Sequence, residues 1–131
     1  MTTIDNELID SDQLKGKVVV LNFWFTSCVE CIREIPQLNE LKEKYASRGI
    51  EFIGVCLNEK SKIETFLKEH PFSWKQIPNA RKVAHDFYMF AYPGHAVVDK
   101  DGGIITLLNG NEPSVMQQLE TAIQVGLGET F

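Results

Sequence analysis

Two cysteines separated by two residues, Cys28 and Cys31, are the side chains of this sequence best suited to chemistry. They follow an apolar run from Val18 to Phe25 and open a segment whose apolar residues recur every three or four positions. This pattern predicts that Cys28 begins a helix and that Cys31 lies one turn further along. The unpaired N–H groups and the positive dipole end of a helix N-terminus favour a thiolate over a thiol. The spacing therefore predicts thiol–disulfide exchange, with Cys28 attacking a partner disulfide and Cys31 resolving the mixed disulfide.

The sequence around the cysteines also resembles a known family. A C-x-x-C between a strand and a helix is typical of thioredoxin-like redox proteins. More closely, residues 16–24 and 28–36 resemble the TlpA/ResA-like thioredoxins, thiol–disulfide oxidoreductases of the bacterial cell envelope, and the resemblance extends to the C-terminus. It implies a thioredoxin fold, an α/β architecture with a mixed central sheet flanked by helices on both faces. One departure is Ser27, which stands where the family usually has tryptophan.

The hydrophobic periodicity along the chain predicts elements in an order that matches this fold. Residues 1–17 are expected to form an irregular arm or an edge element of a single domain spanning residues 1–131. The connection at 72–78 has room for a short strand, and residues 99–103 are predicted to form a hairpin turn. The predicted strands are 18–25, 50–57, 96–98 and 104–108, and the predicted helices are 28–47, 61–69, 80–87 and 113–125.

A carboxylate is predicted to share the rim of the sheet with the cysteines. Glu59 follows the second strand, and the carboxyl ends of neighbouring parallel strands meet at one edge of a sheet. The resemblance implies a role here, because ResA-like proteins carry a glutamate at the matching place, proposed to manage the protons of the cysteine pair. We therefore predict that Glu59 is catalytic and moves a proton on or off Cys31. The alternative is an ordinary solvated carboxylate at the start of a helix.

The segment 90–103 resembles the family segment in which a cis-proline opens a strand and packs against the C-x-x-C. The resemblance implies a cis Tyr92–Pro93 peptide, with Tyr92 flanking a substrate groove. The backbone before Pro93 can offer its N–H and C=O groups to an extended substrate strand. Trp24, Tyr92 and Pro93 are accordingly assigned to substrate binding. His95 is either an acid–base group for the second cysteine or an ordinary strand residue.

Three further residues bear on the redox chemistry. Cys56 lies inside the second strand and is expected to be a small buried apolar residue rather than a third redox partner. Asn22 occupies a position at which many thioredoxins have a buried acid, and a hydrogen-bonded amide is expected there. Glu30 lies between the two cysteines, where its carboxylate would raise the pKa of a neighbouring thiol. A less stable thiolate makes a less oxidising couple, so the sequence predicts a reductant rather than an oxidase.

Composition excludes several other functions. The net charge of −5 and the lack of a basic patch argue against nucleic-acid binding. No apolar run approaches the roughly 18 residues of a membrane span. Neither a second C-x-x-C nor paired histidines complete a zinc site, and Ile32 stands where haem attachment needs histidine. We therefore expect no metal and no cofactor, and a monomer.

Two functions remain from the sequence. The first is a reductant of partner-protein disulfides that depends on an upstream electron donor. The alternative is a thioredoxin-fold binding or scaffold module whose cysteines are merely structural. The resemblance implies a periplasmic or cell-envelope location. The acidic, polar first fifteen residues contain no signal peptide, which indicates either a cytoplasmic protein or a soluble domain whose targeting segment has been removed.

Overall fold

The computed structural model describes residues 1–129, so residues 130 and 131 of the predicted domain lie outside the described residues. The eight predicted helices and strands all occur, with bounds that differ from the predicted ones by at most three residues. A short strand occupies the 72–78 connection, and a one-turn helix in the N-terminal arm was missed. The helices are α1 (Ser11–Leu14), α2 (Val29–Lys44), α3 (Lys60–Glu69), α4 (Arg81–Asp86) and α5 (Val115–Gly126). The strands are β1 (Val18–Trp24), β2 (Ile50–Cys56), β3 (Lys75–Ile77), β4 (Gly94–Val98) and β5 (Ile104–Asn109).

The five strands form one mixed sheet in the order β3-β2-β1-β4-β5. Strands β1, β2 and β3 are parallel, whereas β4 runs antiparallel to both β1 and β5. All seven residues of β1 are buried, as its apolar run predicts for a central strand covered on both faces. Alternate residues of β1 join two separate core clusters, one beneath α2 and α5 and the other beneath α4. This architecture confirms the predicted thioredoxin fold. Within the described residues, no helix is both long and apolar enough to cross a membrane.

Trp24 lies in the core and not in a substrate groove. Its side chain is 0% exposed, and its indole Nε1–H donates to Oε1 of Gln76 over 2.9 Å. The ring packs against Phe66 and Phe72, with centroid distances of 5.0 and 5.6 Å. The assignment of Trp24 to substrate binding is therefore wrong. The alternation of β1 turns this last side chain inward, onto the face that α2 covers, and not toward the rim.

Replacing Trp24 by phenylalanine is expected to affect folding and not exchange. The variant keeps an aromatic ring but leaves Oε1 of Gln76 without its donor, and a buried unsatisfied amide costs about 1–3 kcal/mol. Urea unfolding of the oxidised protein should report a loss of that size in the free energy of unfolding. The rate constant for reduction of a peptide disulfide should stay near that of the parent. Unchanged stability combined with slow reduction would instead restore a substrate role for Trp24.

Cys56 is a buried free thiol at the end of β2, as predicted. Its Sγ lies 3.7 Å from Oδ1 of Asn58. Burial disfavours the charged form and raises the pKa of this thiol to about 11. Because the thiolate is the reactive species, Cys56 should be inert at neutral pH.

Alkylation tests this expectation directly. With a pKa of about 11, only about one Cys56 thiol in a thousand is ionised at pH 8, and the fold also shields the sulfur from reagents. Iodoacetamide added to the reduced, folded protein at pH 8 should modify Cys28 within minutes and leave Cys56 free in peptide mass spectra. The same treatment in urea should modify both residues. Equal labelling of the two thiols in the folded protein would contradict the burial argument.

Candidate active site

The two cysteines of the C-x-x-C form a disulfide whose Cα atoms lie 5.2 Å apart. Cys28 is the N-cap of α2, and its Sγ accepts a hydrogen bond from the backbone N–H of Cys31 over 3.2 Å. Cys28 is 7% exposed and Cys31 only 2%, so the first sulfur is the more accessible one. After reduction, the same N–H and the helix dipole would favour a thiolate on Cys28.

The turn that carries Cys28 is held in place by the end of β2. The backbone N–H of Thr26 donates to Oδ1 of Asn58 over 2.8 Å, and the N–H of Leu57 donates to the carbonyl of Trp24. These two bonds join the carboxyl ends of β1 and β2 directly beside the disulfide. Asn58 was not among the predicted site residues, although an Asn that follows a strand is a common turn signal.

The proline segment lies beside the same turn. The Tyr92–Pro93 peptide is cis, as the resemblance implies. Gly94 pairs with Phe23 in the β1–β4 ladder, which brings Pro93 next to the end of β1. The rings of Tyr92 and Phe25 pack edge to face with centroids 5.6 Å apart. Tyr92 is half-buried and Pro93 is buried, and both belong to the rim that carries the disulfide.

Glu59 lies after β2 as predicted, but its side chain is turned to solvent. It is the N-cap residue of α3 and makes no side-chain capping bond. Its Oε1 accepts a hydrogen bond from the hydroxyl of Ser61 over 3.0 Å. None of the hydrogen bonds of the described residues joins this carboxylate to Cys28 or Cys31. Glu59 therefore lies near the rim, but no described hydrogen bond joins it to either cysteine.

A buried acid–base pair lies beneath α2 instead. Nε2 of His95 is hydrogen-bonded to Oε1 of Glu34 at 2.9 Å, and both side chains are buried. Glu34 follows Cys31 by three residues, about one helical turn, and His95 faces Asn22 across the β1–β4 ladder. Nδ1 of His95 has no hydrogen-bond partner among the described residues. Glu34 was not among the predicted site residues, although its helical spacing from Cys31 was a usable signal.

The sulfurs receive little stabilisation from charged groups. The carboxylate of Glu30 is bound by Nη1 of Arg33 over 2.6 Å, so the guanidinium offsets much of its charge. Among the described hydrogen bonds, no lysine, arginine or histidine side chain reaches Cys28 or Cys31. The backbone N–H of Cys31 is the donor that the fold supplies to the outer sulfur.

Comparison with known proteins agrees with this geometry. The sequence model of the AhpC/TSA family matches residues 1–107. A thiol-disulfide oxidoreductase ResA of Bacillus cereus is 31% identical over 126 residues, covering 95% of this chain and 72% of that protein. The ResA of Bacillus anthracis is 30% identical over 122 residues, covering 92% of this chain and 69% of the relative.

Solved structures share the same fold. A thiol:disulfide interchange protein of the thioredoxin family from Chlorobium tepidum TLS superposes with a TM-score of 0.81 at 23% identity, covering 98% of this chain and 92% of that chain. StoA from Bacillus subtilis gives a TM-score of 0.76 at 22% identity, covering 93% and 92% of the two chains. With the C-x-x-C, the proline segment and the relatives taken together, this chain belongs to the AhpC/TSA family and is a thioredoxin-fold thiol–disulfide oxidoreductase similar to ResA.

Proposed function

We propose that this protein works as a reductant of disulfides in partner proteins, and that an upstream electron donor restores its dithiol. The observation that carries the direction is the weak support of the outer sulfur, which receives one backbone N–H and no charged side chain among the described hydrogen bonds. A strong oxidant needs a strongly stabilised thiolate, because that stabilisation favours its reduced form. A couple without such support holds its electrons less tightly and passes them to a partner disulfide.

The exchange has two balanced steps. The Cys28 thiolate attacks one sulfur of the partner disulfide, a mixed disulfide forms, and the other partner sulfur leaves as a thiolate. Cys31 then loses its proton and attacks Sγ of Cys28, which releases the second partner thiol and closes the Cys28–Cys31 disulfide. Two electrons have passed to the partner, and the donor returns them through a dithiol of its own. The difference in exposure between the two sulfurs supports this assignment of roles.

Tyr92 and Pro93 are proposed to hold the substrate segment. Both lie at the rim beside the turn that carries Cys28, and Tyr92 packs against Phe25 of that turn. An extended chain laid along this segment could pair with its backbone as an added strand does. Such pairing would hold the partner disulfide in line with the Cys28 sulfur.

The proton of Cys31 needs an acceptor, and we propose Glu34 for it. Glu34 follows Cys31 by about one turn of α2 and is buried, whereas Glu59 is exposed and held by Ser61. The hydrogen bond from His95 fixes the orientation of the Glu34 carboxylate. Glu59, the residue assigned to this task from the resemblance, is the competing candidate, and the two glutamates form a matched pair of test positions.

A comparison of Glu34→Gln with Glu59→Gln decides between them. Glutamine cannot take a proton but can still hydrogen-bond to His95, so Glu34→Gln should fold normally. In single-turnover reduction of a peptide disulfide, Glu34→Gln should slow resolution about tenfold or more, as loss of a general base does, and let the mixed disulfide accumulate. Acid quenching and mass spectrometry would measure that species. Accumulation of the mixed disulfide in Glu59→Gln alone would show that Glu59 is the proton acceptor. If it accumulated in neither variant, neither glutamate would be the acceptor.

The reduction potential of the Cys28–Cys31 couple tests the direction of exchange. Equilibration with a dithiothreitol or glutathione series, followed by alkylation and mass measurement, should give a value near about −270 mV, that of thioredoxin, or lower. A value near about −120 mV, at the oxidase end of the range, would reverse the proposed direction. A pair that does not cycle at all would leave a binding or scaffold module in place of the reductant.

The setting of the reaction completes the proposal. We place the 131 residues as one thioredoxin-like domain that acts as a monomer in the cell envelope, on protein thiols and disulfides. The resemblance to envelope thioredoxins supports the location. Light scattering would measure the mass in solution, where a dimer would contradict the monomer. Cell fractionation would locate the native protein, and recovery in the cytoplasm would contradict the envelope assignment.

A further inference from the structure

Two large aromatic side chains are exposed immediately before the proline segment. Tyr88 is 70% exposed and Phe90 is 65% exposed, and we call this pair the aromatic shelf. Val29, between the two cysteines, is also exposed. Tyr88 and Phe90 are separated by one residue only, and exposed apolar groups that neighbour each other mark sites of interaction. The shelf lies two to four residues before Tyr92, in the segment that approaches the disulfide.

Met89, between the two aromatic residues, is buried and anchors the segment from beneath. Its backbone N–H donates to the carbonyl of Ala84 over 2.9 Å. A Cβ atom added to Gly94 would lie 2.6 Å from Sδ of Met89, so the glycine leaves the space that the methionine fills. The segment thus alternates outward, inward, outward, and the outward positions are both aromatic.

The side chain of Asn109 fixes the backbone of the shelf. Its Oδ1 accepts the N–H groups of Phe90 and Ala91 over 3.2 and 2.8 Å, and its Nδ2 donates to the carbonyl of Tyr88 over 2.7 Å. Tyr88 has a φ of 58°, a backbone conformation that residues other than glycine and asparagine rarely adopt. The fold therefore holds an uncommon backbone conformation in place at this exposed aromatic pair.

The shelf is continuous with the proposed substrate site. The hydroxyl of Tyr92 donates to the carbonyl of Met89 over 3.3 Å, and the ring of Tyr92 packs on Phe25 beside Cys28. The ring of Phe90 is itself supported by His85 of α4, with centroids 5.3 Å apart in an edge-on arrangement. A partner chain that crosses Tyr92 and Pro93 has the shelf as the adjoining surface.

We propose that Tyr88 and Phe90 dock an extended segment of the partner protein that carries apolar side chains beside its reactive cysteine. This inference rests on the proposed reduction of partner disulfides and specifies the class of partner. The segment is taken as extended because the adjoining backbone of Tyr92 and Pro93 is proposed to pair with an extended chain. A surface held rigid before binding loses less entropy when the partner arrives. The shelf contains no charged side chain, which favours apolar over charged flanking residues.

Two synthetic disulfide peptides and oxidised glutathione test the shelf. One peptide has leucine and valine beside its cysteines, and the other has serine and glycine. The parent protein should reduce the apolar peptide with the higher kcat/KM. For each protein, the kcat/KM of each peptide is divided by the kcat/KM of oxidised glutathione. The ratio of the apolar to the polar peptide should be about tenfold lower in the double variant Tyr88→Asn, Phe90→Ser than in the parent. Asparagine is chosen because it tolerates the φ of Tyr88.

Val125→Ser is the matched control, because Val125 is an exposed apolar residue on α5 and should leave the preference unchanged. Equal kcat/KM values for the two peptides in the parent, or an unaltered preference in the double variant, would contradict the proposed docking role of the shelf. Asn109→Ala removes the hydrogen bonds that fix the backbone of the shelf. It should weaken the preference for the apolar peptide while both aromatic side chains are present. A parent protein that cycles with glutathione but reduces neither peptide would contradict the proposed function itself, which distinguishes the two failures.

Discussion

The burial of β1 between β2 and β4 is the constraint on which the site depends. Every residue of this strand is buried, and it pairs along its length with a parallel strand on one side and an antiparallel strand on the other. Its carboxyl end is therefore fixed from both directions. The turn after Trp24 must deliver Cys28 to the N-terminus of α2, where the backbone N–H of Cys31 donates to its sulfur. Asn58 reaches this turn from β2, and Pro93 reaches it from β4.

The buried polar pair of Glu34 and His95 beneath α2 has an energetic cost. Burying an ionisable pair removes two groups from water, and replacing such a pair with apolar residues of similar size is often neutral or stabilising. Glu34 and His95 are therefore weak contributors to stability, although losing one partner would leave the other without its hydrogen bond. This small structural return fits the proposed role of Glu34, whose carboxylate lies about one turn from Cys31 and is oriented by His95.

The local patterns of the sequence predict the framework well. The continuous apolar run of β1, the helical spacing after Cys28 and the glycine-rich hairpin turn each depend on neighbouring residues only, and the structure has the corresponding elements. The features that were missed depend on contacts between distant segments. The alternation of β1 turns Trp24 inward, but its acceptor, Gln76, lies 52 residues away and is not visible in any local pattern. Glu34 meets His95 across 61 residues, which requires the register of α2 over β4. The spacing of Glu34 from Cys31 is a local pattern, whereas its contact with His95 is not.

The low exposure of the cysteines indicates that other segments of the chain must recognise the partner protein. Cys28 as a residue is only 7% exposed, so a partner disulfide must be brought closely against the rim before the sulfurs can react. The residues that can bring it are those with exposed apolar surface, which are Val29 at the start of α2 and the two aromatic residues in the loop before Pro93. Ser27, at the position before Cys28, is exposed but small and supplies no aromatic wall. Under the proposed docking, aromatic surface for the partner is supplied by the segment that Asn109 holds, and selectivity would change there without altering the two cysteines.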